Sequence, residues 1–258
     1  MVGCRTSRWK ARPKRSKSEV KETVRAGFVA VVLFAVAGCA TIDYDYPRQE
    51  AYFLPDTSDT RLGKVVEPLV AVYPPDQSGF FPMNDGVDAL SARLLLAERA
   101  DKSIDVQYYL IKNDIIGRIV IHTLLKAADR GVRVRLLIDD MFTSGYDVGL
   151  AALHSHPNFE IRIFNPVSRS GIYAFNFVGQ FDRANRRMHN KSFTVDHSIS
   201  VVGGRNIADE YFQLKANAVF VDLDVLAVGP IAAAISESFD QYWNHALAVP
   251  IEQFIKDE

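Results

Sequence analysis

The stretch Arg186-Arg187-Met188-His189-Asn190-Lys191-Ser192-Phe193-Thr194-Val195-Asp196, followed by Gly203-Gly204-Arg205-Asn206, gathers residue types suited to phosphoryl chemistry. On an extended segment, residues two apart project to the same side, so His189 and Lys191 can meet one phosphate. An imidazole with an ordinary pKa near ~6.5 is a nucleophile at neutral pH. A lysine beside it offers fixed positive charge to the nonbridging oxygens as charge develops on phosphorus. The double glycine permits close backbone approach, and the Asn206 amide can donate to a further phosphate oxygen. A lone histidine is most often structural. Here a structural account must also explain Lys191, Asp196, Gly203-Gly204 and Asn206 at a joint spacing.

Other clusters carry less. Asp139-Asp140 follow a strand-like run, where open α/β sheets place ligands, yet adjacent strand residues face opposite ways and no third metal ligand is evident. A turn role suits them better. His154-Ser155-His156 has a spacing that could hold a metal, but its surroundings read as the end of a helix. Arg186 and Arg187 could meet substrate phosphates or form a solvated basic turn, and both readings stand open.

These residues need a frame, and the chain offers one from Asn84 onward. Asp85-Gly86 precedes an amphipathic helix over Val87–Ala97, and Asp114 can cap a second that stops at Gly131. Strand-like runs cover Ser103–Leu110, Val132–Ile138, Glu160–Phe164, Ser192–Val195 and Ser198–Val202. A longer one covers Ala218–Val228, and Gly229-Pro230 then opens a last helix through Trp243. Strands alternating with helices imply an α/β layered fold, its sheet mixed or mostly parallel. There is no internal repeat.

Composition bounds the partners. Of 258 residues, 48% are hydrophobic and 24% charged, as in ordinary globular chains. The net charge of −1 hides an asymmetry: residues 1–25 hold nine of the 30 basic residues and two of the 31 acids, leaving −8 from Cys39 onward. So acidic a body is a poor nonspecific binder of nucleic acid. The basic start is followed by the uncharged run Ala26–Val36, too short to span a bilayer, and then by Ala37-Gly38-Cys39-Ala40. That ending resembles the lipobox of bacterial lipoproteins. The resemblance implies a signal peptide over residues 1–38, lipidation of Cys39, and an anchor at the periplasmic face of the outer membrane of a Gram-negative cell. A plain signal peptide or short membrane anchor is the alternative. Residues 39–83, with six prolines and no sustained period, read as an extended tether. Cys4 would leave with the leader, so no disulfide is expected.

The pattern HxKxxxxDxxxxxxG[GS]xN, matched here at every defined position, is the signature of the phospholipase D superfamily. The resemblance covers residues 84–258. Flanks including Ile138-Asp139-Asp140, Phe164-Asn165-Pro166, Asn185-Arg186-Arg187-Met188 and Asn206–Phe212 are similar to the N-terminal lobe of cardiolipin synthase C-type proteins. It implies a layered α/β/α lobe with a mixed, mostly parallel sheet. It also implies phosphatidyl transfer or hydrolysis on phospholipids through a covalent phosphohistidine, without metal or other cofactor. His189 would be the nucleophile or its general-acid counterpart, and Lys191 and Asn206 would hold the phosphate. Asp196 is the third letter of the catalytic motif, although in such folds it tends to brace a loop. The carboxylate orienting the histidine would be Asp222, with Asp224 its rival, and strand-end capping is the bland account of either.

One element is missing from this reading. Such chemistry uses two histidines, and none of His122, His154, His156, His197 or His245 begins a second His-x-Lys. The second would come from a homodimer mate or a separate chain; otherwise the chain would be an inactive half-enzyme. A single-motif nuclease working as a homodimer is the competing activity, which the acidic body disfavours. A catalytically silent lipoprotein that binds phospholipid or a partner protein is the third possibility.

Overall fold

The computed structural model describes residues 42–143, 145–167, 186–214, 220 and 222–254. Cys39, Asn185, most of the upstream half of the Ala218–Val228 run and the last four residues lie outside them. Among the described residues, five helices of eight or more residues surround one eight-stranded sheet.

The segment expected to be a tether is folded from residue 42 onward. Thr60 accepts from the Gly63 amide and starts α1 (Arg61–Val70), which buries Leu62 and Val66. Gly79–Met83 forms β1 on the sheet edge, and Phe53 and Ala51 donate their amides to Asp240 and Asn244. The fold accommodates these prolines: Pro68 stands inside α1, where it forfeits one helical hydrogen bond, and Pro82 lies on an edge strand, where a missing N–H forfeits few ladder bonds. The lobe therefore begins well upstream of Asn84.

The helices that cover one face start as expected. Asp85 accepts from the Val87 and Asp88 amides at the start of α2 (Gly86–Arg99), and Asp114 from the Gly117 amide at the start of α3 (Ile115–Asp129). Gly131, at φ 94°, turns the chain into β3. The strands are β2 (Ser103–Tyr108), β3 (Arg133–Asp139), β4 (Phe159–Phe164), β5 (Ser192–Val195), β6 (Ile199–Gly203), β7 (Asp224–Val228) and β8 (Ala248–Pro250). Two helices complete the set: α4 (Asp147–His154) and α5 (Pro230–Trp243).

The strand order is β1-β7-β6-β5-β2-β3-β4-β8. Only β2–β3 and β3–β4 pair in parallel, and every other neighbour is antiparallel. The sheet is mixed, as expected, but the parallel part is the minority. The reason is the four-residue β5 followed by a tight turn, which returns the chain antiparallel as β6 with no room for a crossover helix.

The two sheet faces are covered differently. Leu96, Val106, Leu124, Val134, Leu136, Ile161 and Val195 belong to a large apolar core. Under α5 the alternating arginines of β3 and β4 are buried instead. Arg135 binds both oxygens of Asp105 at 2.7 and 2.8 Å and Asp240 at 2.8 Å, with its guanidinium 4.8 Å from the Phe239 ring. Arg162 donates to the Trp243 carbonyl and lies 4.4 Å from that indole. A buried charge is tolerable only when paired in this way.

Candidate active site

The site lies at the C-terminal ends of β2 and β3, where the chain of Arg186–Lys191 arrives to begin β5. Asp139, at the end of β3, holds that arrival. Its carboxylate accepts from the Met188 amide at 2.8 Å and meets Arg187 at 3.2 Å, and Arg187 also donates to the Asn165 carbonyl. Burial pushes Asp139 up to about 6, against the opposite pull of Arg187 and two backbone amides. Asp140 accepts from Thr143 Oγ and the Val167 amide, so the pair does shape a turn. Arg187 is committed to that turn, while Arg186 is exposed.

His189 emerges exposed from this brace, and Lys191 is buried beneath it. Lys191 Nζ lies 3.2 Å from His189 Nδ1 and donates to the His189 carbonyl at 2.8 Å. Lysine is only a donor, so Nδ1 accepts here and the ring proton resides on Nε2. The Tyr109 ring sits 4.9 Å from the imidazole and 5.6 Å from Lys191 Nζ. Sequence reasoning missed Tyr109; its only signal was its place just past the end of a strand entering the sheet.

The two rival carboxylates separate cleanly. Asp224 is fully buried, 3.0 Å from Arg93 and 3.5 Å from Arg205, and has no exposed surface for substrate. Asp222 is half-buried and lies close enough to attract both His189 and Lys191 electrostatically. The double glycine makes this possible. A β-carbon at Gly204 would stand 2.1 Å from Asp222 Oδ1, and one at Gly203 equally close to Asp224 Oδ1. Gly204→Ala is therefore expected to push the Asp222 carboxylate aside with the fold intact. A displacement of about 1 Å at such a site costs roughly 10²-fold in rate. Turnover measured beside the melting temperature checks this.

Asn206 is buried, donates Nδ2 to the Tyr211 hydroxyl at 3.0 Å, and has no partner for Oδ1 among the described residues. Turning the amide over would let Tyr211 donate to Oδ1 and free Nδ2 for a phosphate oxygen. Asp196 stands apart from this group, at the opposite end of β5. It is fully buried and accepts from the amides of Asp101, Lys102 and Ser103. The third letter of the motif is thus a brace of the frame, not a group at the reacting centre.

Four of the other five histidines are committed elsewhere. His154 and His156 accept from the Ile161 and Asn158 amides and approach Glu252 and Asp129. His197 stacks on Phe53 and bonds Ser236, His245 accepts from the Leu247 amide, and His122 is exposed on α3.

Partial desolvation and the Lys191 ammonium hold His189 below its ordinary value, and Asp222 pulls the other way. A lowered histidine is neutral at pH 7, and its neutral fraction falls only as pH drops through that lowered value. Lys191→Met removes the repulsion but keeps the attraction of Asp222, so the His189 titration is expected to move upward. Proton NMR of the imidazole reads this without turnover, and an unmoved titration would contradict it.

A family model described as cardiolipin synthase, PLD-like domain, matches residues 95–243. The chain belongs to that phospholipase D-like family. Cardiolipin synthase C of Escherichia coli K12 is 46% identical over 195 residues, which are 76% of this chain and 41% of that protein. An uncharacterized protein of Helicobacter pylori 26695 is 35% identical over 225 residues, 86% of this chain and 45% of that one. The chain thus spans less than half the length of these curated relatives. Among solved structures, phosphatidylserine synthase of Haemophilus influenzae aligns with a TM-score of 0.51 at 13% identity, over 77% of this chain and 45% of that one. NucT of Helicobacter pylori aligns with a TM-score of 0.50 at 14% identity, over 67% of this chain and 98% of that one. Both likenesses concern the fold.

Proposed function

We propose that this chain is one lobe of a phospholipase D-type enzyme that cleaves or transfers phosphatidyl groups, as in cardiolipin synthesis, and works at a membrane to which Cys39 anchors it. The observation that carries the reading is the meeting of exposed His189 with Lys191, Asp222 and Tyr109 at the open end of the sheet. Its likeness to cardiolipin synthase C supports a phospholipid substrate.

In the proposed reaction a substrate phosphate takes the Lys191 ammonium from His189 Nδ1. Nδ1 is then free to carry the ring proton toward Asp222, which exposes the Nε2 lone pair. Nε2 attacks phosphorus, and the bond from phosphorus to the leaving alcohol breaks. The alcohol oxygen takes a proton from a second histidine. An acceptor alcohol or water then attacks phosphorus, the phosphorus–Nε2 bond breaks, and the acceptor's proton passes to that second histidine, which restores both rings. The second histidine belongs to a second lobe, in a homodimer mate or on another chain.

Mass in solution and turnover of phosphatidylglycerol, phosphatidylethanolamine and DNA test the proposal. Lipid turnover by a dimer, or by this chain with an added second lobe, supports it. Cleavage of DNA with both lipids untouched would move the activity to a nuclease.

A further inference from the structure

A cavity of about 300 Å³ lies between α3, α4 and β3, outside the catalytic group. Its walls are largely apolar: Ile121, Leu136, Ile138, Leu150 and Leu153 among them. That is the lower end of the size at which pockets enclose ligands, and apolar walls select an apolar guest. Lys112 and Arg118 also line it, Lys112 paired with Glu210 and Arg118 donating to Asn113.

The cavity is joined to the phosphate site by two short segments. Ile111 and Lys112, which line it, follow Tyr109 within three residues, and Ile111 bridges to Ile207, the neighbour of Asn206. Glu210, the partner of Lys112, precedes Tyr211, whose hydroxyl receives the Asn206 amide. An apolar cavity one segment of chain away from the proposed phosphate site fits a molecule with a phosphate head and a hydrocarbon tail.

We infer that this cavity receives one acyl chain of the phospholipid whose phosphate sits at His189. The inference rests on the phospholipid reading above and adds a place for the tail. It makes chain length, and not only headgroup, a determinant of binding.

Gly149 provides the test. It lies within α4 and lines the cavity, and a β-carbon there would meet nothing within 4 Å. Leucine has open space here at the wall of the cavity and suits a helix better than glycine, so Gly149→Leu is expected to fold and to narrow the cavity. The full chain and this variant are titrated calorimetrically with n-alkyl phosphates from butyl to dodecyl, kept below their micelle concentrations, and with dodecanoate. Each buried methylene should tighten binding to the unaltered chain roughly fourfold until the cavity is full. In Gly149→Leu that dependence should flatten while butyl phosphate binds as before.

Affinity independent of chain length in the unaltered chain overturns the proposal, as does an unchanged series in folded Gly149→Leu. Dodecanoate binding as tightly as dodecyl phosphate overturns it too, because the cavity would then be a fatty-acid site unconnected to the phosphate. None of these readings requires turnover. A failed pocket beside intact butyl phosphate binding is therefore distinct from a failed catalytic reading, in which the short phosphate does not bind either.

Discussion

With His189, the proposed nucleophile, replaced by alanine, phosphodiester turnover is expected to fall by roughly 10⁶-fold, the scale of loss in a hydrolase stripped of its nucleophile. The fold should survive. The imidazole is exposed, Lys191 keeps the residue-189 carbonyl as its acceptor, and Tyr109 loses only a ring contact, so no core group is left unpaired. The covalent step proposed for His189 offers a second readout. Acid-labile phosphoryl label should accumulate on the unaltered protein during turnover and be absent from His189→Ala. Imidazole in the buffer should restore part of the rate, because the vacated space lies at the surface beside Lys191 and Asp222. Turnover persisting undiminished in a melting-competent His189→Ala protein would sink the phosphohistidine mechanism and leave Lys191 as an electrostatic anchor for some other nucleophile.

Local signals carried much of this structure and nonlocal ones did not. Asp85, Asp114, Gly131 and Gly229-Pro230 mark helix ends by short-range hydrogen bonding and backbone preference, and all four act as read. The meeting of His189 and Lys191 needs only a two-residue spacing, and it too is present. Sheet direction depends on which strands find each other, and there alternation is silent. The β3 arginines show the same limit. Arg133 and Arg135 alternate with valines as surface residues would, yet Arg135 is buried because α5 brings Asp240 over it. Resemblance alone names Asp222 over Asp224; what separates them physically is that Arg93 and Arg205 claim Asp224. Tyr109 is one of ten tyrosines until the fold sets it against His189.

Asp196 is the motif residue whose removal should cost most in stability and least in chemistry per folded molecule. Its Oδ1 accepts from the Lys102 and Ser103 amides at 2.8 and 2.9 Å, and its Oδ2 from the Asp101 amide at 2.9 Å. These bonds tie the end of β5 to the turn between α2 and β2, with Asp196 fully buried. Alanine would leave three amide donors unmet, that of Ser103 buried and those of Asp101 and Lys102 partly so, and an unmet buried donor costs ~1–3 kcal/mol. The backbone there has φ 48°, a left-handed conformation that aspartate and asparagine tolerate better than alanine. Asp196→Ala is therefore expected to lose about 3–5 kcal/mol, a large part of the stability of a domain this size. Asp196→Asn keeps the backbone preference and one acceptor but turns an NH₂ toward a facing N–H, so its loss should be smaller, about 1–3 kcal/mol. Urea unfolding measures both. If Asp196 took part in the reaction, the asparagine variant would lose turnover far beyond its folded fraction. If it is a brace, turnover per folded molecule should stay within a few-fold while the unfolding midpoint drops. The order of the two variants, alanine below asparagine, then follows from the three amide donors and the left-handed backbone.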